Sequence, residues 1–130
     1  MTQPALRDRT VLVTGGAGFI GGHIVDALAP DNEVRVLDHD VGGDAVDLPP
    51  SVTVYEDDVR DERALTAAAE GVDLIFHEAA VVSVQQSLDD PAGTNAINLQ
   101  GTLNVLEAAR REDARVVFAS SAAVYGRPER

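Results

Sequence analysis

A glycine-rich segment near the amino terminus has the residue types and spacing that hold phosphate groups. It reads TGGAGFIG at residues 14–21 and satisfies both the G-x-G-x-x-G and the G-x-x-G-x-x-G spacing. Glycine adopts positive φ cheaply, and its missing Cβ lets phosphates approach the backbone. The N–H groups that begin the following helix attract negative charge. The segment predicts a pyrophosphate site for a dinucleotide, with a plain turn as the alternative. No Lys-Ser or Lys-Thr pair follows, which excludes a mononucleotide P-loop.

An acidic residue lies at the distance beyond this loop that a dinucleotide site requires. Asp38 ends the second apolar run, where its carboxylate can accept both hydroxyls of an adenosine ribose. A 2′-phosphate there would meet a like charge, which costs about 1–4 kcal/mol. No arginine between His39 and Ser51 offsets that charge. Asp38 therefore predicts NAD rather than NADP. Its alternative role is to cap a turn, and Asp40 is a second candidate for the ribose.

The residues after the third apolar run offer a contact for adenine. The Asp58 carboxylate can accept a hydrogen bond from the adenine amino group, and Val59 can pack on the ring. Asp57 and Asp61 crowd the same loop. A solvated acidic turn with a helix cap is therefore the alternative.

Apolar runs alternate with helical patterns along the whole chain. Strands are predicted at 10–14, 34–37, 52–55, 72–77 and 114–119, and helices at 18–29, 61–70 and 91–112. The long third helix is expected to turn inward Ile97, Leu99, Leu103, Val105, Leu106 and Ala109. The stretch between the fourth strand and this helix is interpreted as a loop. The alternation predicts an α/β fold, a Rossmann-type doubly wound parallel sheet. Ligands of such sheets bind beyond the carboxyl ends of the strands.

Composition narrows the class of protein. The net charge is -12 and the sequence pI is about 4.4, so the basic surface that a nucleic-acid partner needs is missing. An anionic membrane would repel such a chain, and no apolar run reaches the roughly 20 residues of a membrane span. All ten basic residues other than histidine are arginine. A surface adapted to high salt, a GC-rich genome, or simply a well-solvated acidic surface would each explain this pattern.

The amino terminus and the cysteine count also bear on location. Residues 1–10 lack the apolar stretch of a signal peptide. The sequence contains no cysteine, which excludes disulfides and thiolate metal ligands. We expect a cytoplasmic protein without a metal site.

Taken together, the motifs resemble the extended short-chain dehydrogenase/reductase family, also called the NAD-dependent epimerase/dehydratase family. The matching segments are TGGAGFIG at 14–21, DDVRD at 57–61, FHEAA at 76–80, NLQGTLNVLEAAR at 98–110 and FASSAAVYG at 118–126. They follow the family's order and cover essentially the whole chain. The stretch VVSVQQSLDDP at 81–91 most resembles nucleotide-sugar 4-epimerases of the UDP-glucose 4-epimerase type, although related dehydratases and reductases share much of it.

The resemblance implies a cofactor role for many of these residues. The pyrophosphate would be lined by Gly15, Gly18, Phe19, Ile20 and Gly21. The ribose would be held by Asp38, the adenine by Asp58 and Val59, and the dinucleotide would be flanked by Ala79 and Ala80. Ser120 would face the nicotinamide side. Asn98 would anchor a helix to a loop near the site.

The resemblance also implies a small catalytic set. Ser121 matches the catalytic serine, whose hydroxyl can both donate and accept as a substrate passes between alcohol and ketone. A strand end capped by small polar residues is the alternative for Ser120 and Ser121. Ser83 would touch the sugar. His77 is interpreted as structural, and Glu78 stands where the family often has leucine or glutamine.

The family also uses a Tyr-x-x-x-Lys pair beyond the serine strand, and no lysine is present here. We therefore expect residues 1–130 to be the amino-terminal portion of the NAD-binding Rossmann domain, with the sheet truncated after about five strands. The carboxy-terminal substrate domain would be absent and the chain inactive alone. The implied activity of the complete protein is epimerisation or dehydration of a nucleotide sugar, with hydride transfer at sugar C4. Its implied oligomeric state is a homodimer. A non-catalytic NAD-binding module, or half of a complex completed by another chain, is the alternative.

Overall fold

The computed structural model describes residues 5–41, 47–81 and 83–127. Across these residues a parallel sheet of five strands is built in the order β3-β2-β1-β4-β5. The strands are β1 (Thr10–Thr14), β2 (Glu33–Leu37), β3 (Thr53–Tyr55), β4 (Leu74–His77) and β5 (Arg115–Phe118). This arrangement confirms the predicted α/β Rossmann-type fold. From β1 the chain adds strands in one direction, and from β4 it adds them in the other. The crevice where such sheets bind ligands lies at this reversal, between β1 and β4.

The helices are α1 (Phe19–Leu28), α2 (Glu62–Ala68), α3 (Val84–Asp89), α4 (Pro91–Asn95) and α5 (Gly101–Glu112). A π-helical turn at Ala96–Gln100 joins α4 to α5, and a 3₁₀ turn covers Ala122–Tyr125. The predicted cap of α2 is present, since the Asp61 carboxylate accepts from two amides of the first turn. Among the described helices, none is long and apolar enough to cross a membrane.

The stretch before Pro91 contains a helix where the sequence predicted a loop. The Ser83 hydroxyl caps α3 by accepting from the Gln86 amide at 3.2 Å. The prediction was wrong because α3 buries no face: its apolar side chains, Val84 and Leu88, are exposed. A helix without a buried face leaves no apolar periodicity in the sequence.

The sheet separates two apolar layers. Strand residues alternate between the faces, since successive side chains point to opposite sides. On one side, Val25 of α1 packs with the strand residues Val11, Val13, Val34 and Val36. On the other side, Leu65 of α2 and Val105 of α5 pack with the strand residues Leu12, Leu37 and Ile75. Covering on both faces explains why the strands are nearly continuous runs of apolar residues.

The inward face of α5 differs from the prediction. Val105 and Ala109 are buried and Ile97 packs against the core, as expected. However, Leu99, Leu103 and Leu106 are 64%, 50% and 50% exposed. The π-helical turn holds an extra residue, which shifts the helical phase, and the face against the sheet is formed by Gly101, Asn104, Val105, Ala108 and Ala109. The three leucines were predicted inward because they are the largest apolar residues, and that prediction was wrong.

Candidate cofactor site

The glycine loop connects β1 to α1 and passes very close to a second loop. Gly15 has φ +69°, and a Cβ there would lie 2.8 Å from the Ala79 backbone nitrogen. A Cβ on Gly21 would overlap the Gly15 carbonyl oxygen. Both positions therefore require glycine, one for conformation and contact and the other for helix-to-loop packing. The close packing of the glycine loop against the loop after β4 and against α1 therefore depends on these two glycines.

The start of α1 is left open toward solvent. Gly18 is its N-cap and supplies no side-chain acceptor, and no acidic residue lies in the first turn. The first amides of a helix have no partner within the helix, so they are available to an anion. The side chains of Phe19 and Ile20 are both exposed beside this end. These features fit a phosphate-binding helix start.

Asp38 is held in place by two backbone amides. Its Oδ2 accepts from the Ala17 N–H at 3.0 Å and its Oδ1 accepts from the Asp40 N–H at 2.9 Å. The carboxylate therefore does cap its own turn, and each oxygen still has a second acceptor position. Asp38 also lines the cavity beside Gly15, whereas Asp40 is exposed and does not. The geometry thus supports Asp38 over Asp40 as the ribose ligand.

Asp58 is fixed by a residue that the sequence analysis did not single out. Arg60 donates to it from Nη2 at 2.6 Å, from Nε at 3.0 Å and from its backbone amide at 2.8 Å. The side-chain hydrogen bond from Arg60 is the main cause that lowers the pKa of Asp58. An acidic residue two places before an arginine could have signalled this pair. The carboxylate is ionised and oriented at the cavity wall.

Val59 is buried and defines the depth of the same wall. Its Cγ2 would lie 2.6 Å from a Cβ at Gly101. The side chain of Asn104 donates to the Val59 carbonyl oxygen at 2.9 Å. Helix α5 therefore sets the position of Val59 in two ways. Gly101 has no side chain and leaves room for Val59, and Asn104 hydrogen-bonds to the Val59 carbonyl oxygen.

A buried histidine links the glycine loop to the loop after β4. His77 Nδ1 lies 2.6 Å from Thr14 Oγ1, and its Nε2 lies 2.9 Å from Thr102 Oγ1. Thr102 donates to the Asn98 carbonyl oxygen, so its hydroxyl accepts from Nε2–H. Thr14 Oγ1 accepts from the amides of Glu78 and Ala79, so it donates to Nδ1. Burial lowers the pKa of His77, consistent with this neutral tautomer. These contacts join three parts of the chain, consistent with the predicted structural role.

Asn98 fixes the same loop from the helix side. Its Oδ1 accepts from the Val81 amide at 2.7 Å, and its Nδ2 donates to the Val81 carbonyl at 3.0 Å. The structure thus contains the helix-to-loop anchor expected of this residue. The anchor lies inside the π-helical turn, a geometry that often marks functional sites.

Two cavities lie at the carboxyl ends of the strands and meet at Glu78–Val81. The first, near β1, β2 and β3, measures about 170 Å³ and includes Gly15, Gly18, Asp38, Asp58, Val59, Ala79 and Ala80. The second, near β4 and β5, measures about 520 Å³ and includes Ile20, Asn98, Thr102, Phe118, Ser120 and Ser121. Because they share the four residues 78–81, we treat them as two parts of one cleft and call them the adenosine cavity and the serine cavity. Most of the predicted site residues are brought together here.

Four predicted site residues either lie outside both cavities or cap a helix or turn. Gly21 packs beneath the glycine loop, and Phe19 lines neither cavity. Ser83 caps α3. The Ser121 hydroxyl accepts from the Ala123 amide at 3.1 Å and so caps the 3₁₀ turn. The alternative of a capped strand end is therefore realised at Ser121, although the residue also lines the serine cavity.

The chain belongs to the NAD dependent epimerase/dehydratase family, whose sequence pattern it matches over residues 11–130. UDP-glucose 4-epimerase of Lacticaseibacillus casei is 37% identical to 92% of the chain, which covers 38% of that enzyme. UDP-glucuronic acid decarboxylase 1 of Danio rerio is 34% identical to 93% of the chain, which covers 29% of it.

A solved structure extends this comparison to three dimensions. The UDP-glucose 4-epimerase of Thermus thermophilus, crystallised with NAD, is 43% identical and superposes with a TM-score of 0.77 over 86% of this chain and 37% of that one. The chain thus spans less than two fifths of the length of these three relatives. They are epimerases and a decarboxylase, and the expected cofactor, NAD, is that of the family.

Proposed function

We propose that residues 1–130 form the NAD-binding portion of an enzyme that acts on nucleotide sugars, of the UDP-glucose 4-epimerase type. The observation that carries the proposal is the two-part cleft, with Asp38 at one end and Ser121 at the other. An extended dinucleotide needs a ribose ligand at its far end and a reacting group beside its nicotinamide. The similarity to UDP-sugar epimerases and decarboxylases supports the substrate class.

In this proposal the adenosine cavity supplies binding energy and selectivity. The Asp38 carboxylate accepts from the ribose hydroxyls and excludes a 2′-phosphate by charge. Asp58, held by Arg60, accepts from the adenine amino group while Val59 packs on the ring. The pyrophosphate is surrounded by Gly15, Gly18, Phe19, Ile20 and Gly21, and Ala79 and Ala80 lie under the dinucleotide.

The serine cavity takes the reacting end. NAD, when bound, would supply a hydride acceptor and donor for C4 of the sugar, so that removal of the hydride from one face and its return to the other would invert that carbon. The Ser121 hydroxyl holds the reacting oxygen, since its capping bond to the Ala123 amide uses only an acceptor position and leaves its O–H as a donor. Ser120 lies on the nicotinamide side. Ser83 contacts the sugar with the O–H that its helix-capping role leaves available.

We also propose a homodimer of the complete protein. Leu99, Leu103 and Leu106 follow the i, i+4, i+7 spacing on the side of the helix that faces away from the sheet. Such a stripe is the usual seam between two helices. Sedimentation should show a smaller dimer fraction when Leu103 and Leu106 are both changed to serine, and an unchanged dimer fraction would contradict the proposal.

NADH titration tests the cofactor site on the chain as it stands. The sequence contains no tryptophan, so the nicotinamide fluorescence of NADH is read without interference. We expect saturable binding that ADP-ribose displaces, with NADPH weaker by about tenfold or more because of Asp38. A sample with a cooperative unfolding transition that binds no NADH at millimolar concentration would contradict the proposal. Equal binding of NADPH would contradict the role of Asp38 alone.

Interconversion of UDP-glucose and UDP-galactose tests the reaction. We expect activity in the complete protein that carries residues 1–130, and a loss of about a hundredfold or more in kcat for Ser121→Ala. Residues 1–130 alone are expected to bind NAD without turnover. If the complete protein binds NAD and converts no UDP-sugar, the alternative of a non-catalytic NAD-binding module is correct.

A further inference from the structure

Glu78 is a carboxylate in the cleft for which the proposed reaction has no use. Among the four residues that line both cavities, Glu78 alone has an ionisable side chain. Its backbone amide donates to the Thr14 carbonyl at 3.1 Å and to Thr14 Oγ1 at 3.2 Å, which fixes the main chain. Its carboxylate makes no hydrogen bond or ion pair with any residue that the structure describes. Partial burial raises the pKa of Glu78, with no neighbouring cation to offset it.

Glu78 is one of two ionisable side chains that line the serine cavity. The other ionisable side chain that lines it is His77, which is held neutral by hydrogen bonds from and to Thr14 and Thr102. The remaining described residues of that wall carry no ionisable side chain. Aspartates line the adenosine cavity instead, at Asp38, Asp57 and Asp58. A charge that develops at the nicotinamide end therefore meets one formal negative charge.

The two redox forms of the cofactor differ in charge at this end. The nicotinamide ring of NAD⁺ carries a positive charge, whereas that of NADH is neutral. Adenosine and pyrophosphate are the same in both forms, so any repulsion between Glu78 and the pyrophosphate cancels in the ratio of the two dissociation constants. We propose that Glu78 is a specificity-determining residue that makes the cleft favour oxidised over reduced NAD. The proposal rests on the placement of NAD argued above.

The expected size follows from Coulomb's law. Opposite unit charges a few ångströms apart in a partly solvated cleft change the ratio Kd(NADH)/Kd(NAD⁺) by about threefold to tenfold. For a two-electron couple this lowers the reduction potential of the bound cofactor by about 15–30 mV. Glu78 would thereby favour the return of a hydride to a keto sugar over retention of the reduced cofactor.

The experiment compares Glu78→Gln, which removes the charge and keeps the shape, with Glu78→Leu, the residue that the family often has here. NADH is titrated by fluorescence, and NAD⁺ and ADP-ribose are measured by competition. We expect the ratio Kd(NADH)/Kd(NAD⁺) to fall about threefold to tenfold in whichever variant folds. Glu70→Gln is the matched control, because it removes the same charge from an exposed site just past the end of α2, outside both cavities.

An unchanged ratio in a folded Glu78 variant that still binds NADH overturns the inference. So does an equal fall in Glu70→Gln, since the cause would then be net charge. A folded wild-type chain that binds neither NADH nor ADP-ribose instead overturns the proposed function, and the two failures are therefore distinguishable.

Discussion

The adenosine cavity and the serine cavity are built from the same sheet but differ in how firmly their side chains are held. The side chain of Asp38 is 11% exposed and accepts hydrogen bonds from two amides, and Asp58 forms an ion pair with Arg60. Phe118, in contrast, is 57% exposed, and Ser120 and Ser121 are exposed with it. Preorganised groups bind with little loss of conformational entropy. Affinity for the cofactor should therefore come mainly from the adenosine cavity.

Changing Gly21 to alanine is expected to have the largest effect, because the new Cβ would overlap the carbonyl oxygen of Gly15, a residue that lines the adenosine cavity. Overpacking of this kind costs about 1–3 kcal/mol, so NADH should bind about tenfold to a hundredfold more weakly in fluorescence titration. Gly71→Ala is the control: its positive φ lowers stability, but no atom lies near the added Cβ and the cleft is remote. Equal weakening by both variants would mean that the loss is one of folding.

Changing Asp38 to asparagine should follow in size. Asparagine has only one acceptor oxygen, so it can accept from the Ala17 or the Asp40 N–H but not from both, and the charge that opposes a 2′-phosphate is lost. We expect NADH binding to weaken about tenfold and the preference for NADH over NADPH to shrink. Asp40→Asn is matched in chemistry and exposed, and it should leave both constants unchanged. If Asp40→Asn acts as strongly, the ribose ligand has been misassigned.

Changing Gly101 to alanine probes the adenosine cavity from behind. The added Cβ would push Val59 toward the ring it is proposed to hold, so ADP-ribose should bind about threefold to tenfold more weakly. The double variant Gly101→Ala, Val59→Ala removes the collision and should recover part of the loss. Additive losses in the double variant, measured by competition with NADH, would show that the contact does not control the cavity.

Changing His77 to glutamine tests the link between the cavities through pH. Because burial lowers the pKa of folded His77 below 6.5, the unfolded chain takes up a proton first as the pH falls. Stability is therefore full above pH 6.5 and decreases below it until the pH reaches the folded pKa. We expect urea unfolding of the wild type to show this decrease in stability as the pH falls below 6.5. The variant, less stable at neutral pH, should lack this slope, and parallel pH profiles would contradict the assignment.

Changing Ser121 to alanine should have the smallest effect on the chain as it stands. The residue lies in the open cavity, so NADH affinity should change less than about twofold. A larger loss would contradict the contrast drawn between the cavities, because it would place binding energy in the serine cavity.

Much of the fold was predictable because its signals are local. Strands covered on both faces are short β-branched runs, the glycine spacing lies in the turn that joins β1 to α1, and Asp38 directly follows β2. The missed features have three different causes. Helix α3 lacks a buried face, and the leucines of α5 were misplaced because a π-helical turn changes the helical phase. Arg60 was missed because its partner, Asp58, already had an assigned role.

The π-helical turn at 96–100 also separates two parts of one long helical segment that make different contacts. Downstream, Gly101 and Asn104 of α5 must face Val59. Upstream, Asn98 must face Val81. The additional residue of the π-helical turn allows both sets of contacts, because it changes the rotation of the upstream part of the helix relative to the downstream part. A protein engineer who deletes one residue here would obtain a more regular helix and a detached cofactor loop.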